Sequence, residues 1–332
     1  MAFEFGIFQE FPRYPAQSDA EAFAQSFAQA GAAERFGLDA VWLAELHFAP
    51  ERSVASAPLV LASAIAARTR RLKIGIAVQV LPLCHPLRLA EEVATLDLIS
   101  EGRLILGVGR SGIPRSYEAY GVPYGESRER FAEVLEILQR SWSHERFSHN
   151  GTFYKFSDVA VVPRPLTDLR ARLRVAATSP DTYAAIGAMG LPIFVAVRLG
   201  TIEELGPLIE AYRAAFRAAG HAGRGEVYLR VPIYVGDTAA AARADPEDSI
   251  LQFYRALGQQ LERTDHICRY ARDRRPCRAR PGAADDLLSG RPARQGYRRD
   301  AGRRREAACR ADPCAWPQRR ARRDQLRRPA RQ

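Results

Sequence analysis

Along residues 1–263 short apolar runs alternate with amphipathic stretches. Seven runs read as strands: FEFGIF (3–8), AVWLA (40–44), KIGIAVQV (73–80), RLILGVG (103–109), RLRVAAT (172–178), PIFVAV (192–197) and VYLRVPIYV (227–235). The segments between them carry helix signals. Ser18 and Glu21 form a capping box ahead of Phe23, Phe27 and Ala30, and Gly37 stands where a left-handed cap closes that helix. Pro86 opens the third helix and Gly102 ends it. Phe131, Val134, Leu135, Leu138 and Trp142 recur at helical spacing and predict a core-facing stripe, as do Leu205, Leu208, Ile209, Tyr212 and Phe216.

Alternation of this kind is the signature of repeated βα units around a parallel sheet. Strand midpoints fall about every 30 residues, as one such unit requires. The exception is the gap between RLILGVG and RLRVAAT, which holds an extra helix and a hairpin at GTFYKFSDVAVV (151–162). Seven strands with no reversal of order favour a (β/α)8 barrel, a TIM barrel, over a doubly wound sheet. The eighth strand is expected near residues 280–295, where no apolar run supplies it.

Composition explains that gap. The chain has 332 residues and a net charge of +11 at pH 7. From Ile267 to Gln332 there are 21 Arg and no Lys against six Asp and one Glu, a balance of +14, so residues 1–266 carry −3. The basic excess that would suggest nucleic acid is confined to a tail without Val, without Phe and without any periodic pattern. Out-of-frame reading of a GC-rich gene yields such a mixture of Arg, Ala and Pro with scattered Cys; a disordered basic arm and an ordinary solvated tail are the competing readings. We therefore divide the chain into a barrel domain, 1–266, and an Arg-rich low-complexity tail, 267–332, frame-shifted or disordered, to which we assign no nucleic-acid role. Four of the five cysteines (Cys268, Cys277, Cys309 and Cys314) lie in the tail, at spacings that match no metal pattern, so no metal is expected. No apolar run approaches the ~18 residues of a membrane span, and the start MAFEFGIF lacks a basic signal region, so we expect a cytoplasmic protein without membrane contact.

In such a barrel the working face lies at the carboxyl ends of the strands, so the residues that follow each strand are the candidates. These are Gln9 and Glu10; Glu45 and His47; Gln79, with Cys84 and His85 beyond; Arg110; Thr178 and Ser179; and Arg198. His47, with Glu45 two positions before it, is a candidate base or hydrogen-bond partner, its ordinary pKa of about 6.5 suiting proton exchange near neutrality. Packing is the competing reading, and for His85, just before Pro86, the preferred one. GVGRSG (107–112) matches G-x-G-x-x-G, but Pro114 follows and the next clear helix begins near Glu126, unlike a dinucleotide loop. The glycines either ease a strand exit or let Arg110 approach an anion. In TSPDTY (178–183) Ser179 is placed as N-cap with Pro180 at the first helical position, so free N–H groups face the same rim. Asp181, in the first turn, would oppose an anion there.

At these residues the chain resembles the bacterial luciferase-like flavin-dependent monooxygenases. VWLAELHF, AVQVLPLCHPLRLAEEVATLDLISEGRL, GVGR and GLPIFVAV run in the same order and at similar spacing, over residues 1 to 262. The resemblance implies a (β/α)8 barrel, usually dimeric, using reduced FMN (FMNH2) supplied by a separate flavin reductase to activate dioxygen toward a small-molecule substrate. It places Arg110, Thr178, Ser179 and Thr182 on the FMN phosphate. It also places Ala77 and Val78 at the strand end beneath the flavin, where a cis peptide bond is common. His47 matches the second histidine of the family's E-H-H-F pattern, and Leu46 stands where the first, credited with acid–base work, would be. Light emission is therefore not expected. The alternatives are an oxidoreductase using the deazaflavin F420, a flavin-binding protein without catalysis, and a nucleic-acid binder acting through the tail.

Overall fold

The computed structural model describes residues 3–14, 16–197, 201–256 and 258. Its order is β1 (Gly6–Gln9), α1 (Asp19–Arg35), β2 (Ala40–Leu43), α2 (Pro58–Arg68), β3 (Lys73–Val80), α3 (Pro86–Ile99), β4 (Leu104–Gly109), α4 (Pro114–Ala119), α5 (Ser127–Ser143), β5 (Phe147–Asn150), β6 (Lys155–Val159), β7 (Leu173–Ala176), α6 (Pro180–Ala188), β8 (Ile193–Ala196), α7 (Leu205–Ala218), β9 (Val227–Arg230) and α8 (Ala239–Ala244). Residues 247–256 form one more helix. Seven strands make one parallel sheet in the order β1-β2-β3-β4-β7-β8-β9, and β5 and β6 form a separate antiparallel hairpin.

The sheet curls on itself because its inner face is filled from opposite sides. Trp42 of β2 packs edge-on against Phe194 of β8 at 5.0 Å and against Tyr228 of β9 at 5.4 Å. Room for that indole comes from Gly75 on the neighbouring strand, where an added Cβ would lie 1.9 Å from a Trp42 ring carbon. At the two ends of the sheet, the Arg230 guanidinium of β9 lies 3.9 Å from the Phe8 ring centroid of β1 and pairs with Glu10 at 3.2 Å. Among the described residues the result is a nearly closed seven-stranded parallel barrel of the TIM type. The expected eighth strand at 280–295 and the domain boundary at 266 lie outside the described residues.

Outside the barrel, helices bury the predicted stripes. Val134, Leu135, Leu138 and Trp142 of α5 and Tyr212 and Phe216 of α7 are at most 7% exposed. Trp142 also satisfies its indole N–H on the Ala90 carbonyl of α3 at 3.2 Å. The capping box forms as expected, with the Ser18 hydroxyl accepting from Glu21 N–H and Glu21 accepting from Ser18 N–H. Gly37 and Gly102 adopt the left-handed conformation, with φ of 81° and 76°. Asp97 of α3 is fully buried yet satisfied, because its carboxylate accepts from the Thr167 N–H (2.8 Å) and hydroxyl (3.0 Å).

Three expectations need correction. VYLRVPIYV is a strand only over Val227–Arg230, since Pro232 has no N–H to offer a ladder. The hairpin begins earlier than GTFYKFSDVAVV: its first strand is Phe147–Asn150, and Gly151–Tyr154 form the turn. A short helix, α4, starts at Pro114, directly after the glycine-rich exit from β4, whereas the sequence suggested none before Glu126.

Candidate functional site

Neighbouring strands β3, β4 and β7 bring most of the candidates onto one rim. Val108 of β4 is in register with Val175 of β7, so Arg110 leaves the sheet beside the segment leading to Thr178 and Ser179. Helix α5 links the two. Arg110 Nη1 donates to Ser127 Oγ at 3.1 Å, and the next residue, Arg128, pairs with Asp181 Oδ2 at 3.0 Å. The latter contact neutralises the acid that would repel an anion at the start of α6. Tyr117, fully buried in α4, donates its hydroxyl to the Arg110 carbonyl and so fixes the backbone that carries the guanidinium.

At α6, Ser179 is the N-cap residue, in extended conformation, with Pro180 next. Thr182 Oγ1 donates to the Ser179 carbonyl at 2.6 Å and accepts from the Ser179 N–H at 3.3 Å. Ser179 Oγ is buried at the first turn of α6, where its hydroxyl helps hold the Asp181 carboxyl below its ordinary range. Arg110 and the start of α6 thus lie at adjacent strand ends, each tied to α5, and Asp181 is paired with Arg128. The guanidinium and the N–H end of α6 are donors of the kind that fit a phosphate.

On β3 the Ala77–Val78 peptide is cis, and the pairing with β4 shifts register between Ile76 and Gln79. Gly109 passes so close that a Cβ there would meet Val78 Cγ2 at 2.6 Å. Gln79, 6% exposed, donates to Cys84 Sγ at 3.3 Å, and its Oε1 is left without a partner. Burial first, and the Glu45 charge second, push the Cys84 thiol up to about 12. The loop bearing Cys84 and His85 is held from the hairpin. Tyr154 donates its hydroxyl to the Cys84 carbonyl at 3.2 Å, and its ring meets His85 edge-on at 5.6 Å.

His47 is closely held. Its Nε2 lies 2.7 Å from Glu45 Oε1, its Nδ1 lies 3.2 Å from the Tyr120 hydroxyl, and the side chains of His47 and Glu45 are 9% and 4% exposed. Glu45 Oε2 accepts the Val80 N–H at 2.7 Å, which ties this group to β3. Further round the rim, Glu10 accepts from Arg52 at 2.9 and 2.5 Å as well as from Arg230. Arg198 lies outside the described residues.

Of the residues singled out in the sequence, Ala77 and Val78 lie on β3, Arg110 follows β4, Ser179 and Thr182 start α6 after β7 with Thr178 exposed beside them, and His47 lies in the loop after the neighbouring β2. Sequence reasoning missed Tyr120 and Tyr154. Tyr120 is 73 positions from His47, and no motif spacing joins them. A concavity of about 550 Å³ lies elsewhere on the rim, lined by Arg13, Tyr14, Pro50, Glu51 and Gln252 over the loops after β1 and β2. Among the described residues no cluster of His, Cys, Asp or Glu could hold a metal, and no helix is long and apolar enough to cross a membrane.

Comparison with known proteins follows the same lines. A protein-family model described as luciferase-like monooxygenase matches residues 3–313. The crystal structure of monooxygenase RslO1 from Streptomyces bottropensis superposes with a TM-score of 0.73 at 30% identity, covering 78% of this chain and 79% of that one. The oxygenase component of the flavin-dependent trigonelline monooxygenase of Acinetobacter baylyi is 28% identical over 229 residues, 68% of this chain and 62% of that protein. The F420-dependent glucose-6-phosphate dehydrogenase of Kineococcus radiotolerans is 36% identical over 165 residues, 48% of each. The chain thus spans less than two thirds of the length of these two curated relatives.

Proposed function

The chain belongs to the luciferase-like monooxygenase family, and we propose that it is a flavin-dependent monooxygenase using reduced FMN and dioxygen on a small organic substrate. The observation that carries this reading is that Arg110 and the α6 start leave adjacent strand ends and are each tied to α5, through Ser127 and Arg128. Arg110, Thr178, Ser179 and Thr182 would hold the phosphate, and the Ala77–Val78 segment would lie beneath the ring system. When bound, reduced FMN supplies the electrons that activate dioxygen.

The protein's own residues do the rest. Arg110 presents a rigid two-pronged donor, and Tyr117 and Ser127 fix its direction. Glu45 and Val80 hold His47 at the edge of the same rim. A separate flavin reductase would deliver FMNH2, since the Acinetobacter relative is named as the oxygenase component of its system. We further propose a homodimer.

The test is titration with oxidised and reduced FMN, followed by flavin fluorescence and absorbance. Arg110→Ala removes charge-assisted hydrogen bonds of about 1.5–3 kcal/mol each, so affinity should fall roughly 10- to 100-fold. Equal binding by wild type and variant, or none by either, defeats the proposal. The F420 relative motivates one rival, a hydride-transferring oxidoreductase. Dioxygen uptake driven by FMNH2 supports the monooxygenase; reduction of F420 without oxygen uptake supports the rival.

A further inference from the structure

Both ring nitrogens of His47 are occupied, which changes which atom can meet a bound molecule. Glu45 is almost fully enclosed, and its carboxylate accepts from Val80 N–H at 2.7 Å and from His47 Nε2 at 2.7 Å. A carboxylate has no proton to give, so Nε2 carries the hydrogen of that contact. Neutral His47 then has its lone pair on Nδ1, 3.2 Å from the Tyr120 hydroxyl. The imidazole is 9% exposed at its side chain, whereas Tyr120 is 47% exposed. The outward end of this chain of contacts is therefore a phenol.

We infer that Tyr120 is the residue that exchanges protons with the bound molecule, with His47 and Glu45 as the positioned base and carboxylate behind it. In the basic direction, Tyr120 Oη takes a proton from the bound molecule while its own proton passes to His47 Nδ1. The imidazolium so formed keeps its Nε2–H on Glu45. In the acidic direction each proton moves back by one bond, so the relay ends where it began and needs no other reactant. The connectivity is carboxylate, imidazole, hydroxyl, in which the carboxylate fixes the tautomer and stabilises the imidazolium.

Local structure holds the phenol in place. Tyr120 caps α4 and donates its N–H to the Ser116 carbonyl at 3.1 Å. One turn earlier Tyr117, 0% exposed, is locked to the Arg110 carbonyl. The loop that aims Arg110 thus aims Tyr120 as well. The Tyr120 ring meets the imidazole edge-on at 5.2 Å, and Phe48 lies tilted beside both. The ionisable groups facing the phenol are Glu45 and His47 from the loop after β2 and Cys84 from the loop after β3. Partial burial, then the Glu45 charge, raise the phenol above its ordinary value, so at neutral pH it is present as the O–H form. Leu46 precedes His47 in the chain, and Tyr120 supplies the hydroxyl at its Nδ1.

The inference concerns the site of the proposed monooxygenase and rests on that reading, so its test has one arm that needs no flavin. Tyr120→Phe keeps the ring contacts and deletes the hydroxyl. In the full chain, the ¹⁵N resonance of His47 Nδ1 should move toward that of an unbonded ring nitrogen in Tyr120→Phe, while Nε2 stays put. Unchanged Nδ1 refutes the relay whether or not flavin binds. In the second arm, flavin affinity should stay within about twofold, while peroxide release from the FMNH2 complex with dioxygen should slow on the order of 10²-fold. A Tyr120→Phe enzyme with the wild-type rate overturns the inference. Failure of wild type to bind FMN would sink the monooxygenase reading and leave the relay to be judged by Nδ1.

Discussion

Glu133 offers a sharp test of how the hairpin supports the site. From α5 its carboxylate accepts the N–H groups of Thr152 (3.1 Å), Phe153 (3.1 Å) and Tyr154 (2.8 Å), and His149 Nε2 lies 3.2 Å away. Its side chain is 11% exposed. Glu133→Gln keeps the shape but leaves one acceptor oxygen and adds an NH2 that faces other donors. Losing two charge-assisted hydrogen bonds at the low end of their range is about 3 kcal/mol, or roughly 10²-fold in local opening. Hydrogen exchange at residues 152–154, read by mass spectrometry, should accelerate by that factor, and the urea midpoint should fall. Burial alone would raise the Glu133 carboxyl, but the Phe153 and Tyr154 N–H groups and His149 outweigh it and hold it below its ordinary 4.5. A carboxyl depressed in the folded state contributes stability that is complete above 4.5 and lost as pH falls through the folded value. Acid should therefore loosen the hairpin in wild type and not in Glu133→Gln. Exchange within about threefold of wild type at neutral pH, where a factor of ten is 1.4 kcal/mol, would refute the reasoning. Through Tyr154 the same loosening should reach the Cys84 loop.

Other outcomes can be checked separately. Gly75→Ala drives a methyl into the Trp42 ring, so stability should drop by about 1–3 kcal/mol in urea unfolding; an unchanged midpoint would contradict the packing described for the barrel interior. Arg128→Ala deletes a pair whose members are 54% and 57% exposed, so stability should change by less than about 1 kcal/mol. FMN affinity should nonetheless weaken, on the order of fivefold at low salt and less at high salt, because Asp181 is left uncompensated; equal affinity would argue against a phosphate at α6. The Cys84 thiol, raised from 9.0 to about 12, should form thiolate about 10³-fold less readily than an unperturbed thiol. Iodoacetamide at mildly alkaline pH should therefore spare Cys84 in peptide mapping, and rapid alkylation there would contradict its burial.

By itself the sequence determined the architecture of the body. Strand and helix existence follow from local apolar periodicity and from caps such as Ser18–Glu21, which are properties of neighbouring residues, so seven parallel strands and their order were legible. So was the placement of Arg110, Ser179 and His47 at strand ends, because the carboxyl ends of all barrel strands share one rim. Tertiary structure decided what those residues touch. Whether Asp181 opposes an anion depends on Arg128, 53 positions away, and whether His47 is a free base depends on Tyr120, 73 positions away. Helix α4, which aims Tyr120, is six residues long and leaves little periodic signal, since its order comes from the buried Tyr117 hydroxyl and not from propensity. Local pattern fixes which elements form; the pairing of side chains across loops is settled only when the closing sheet brings their strand ends together.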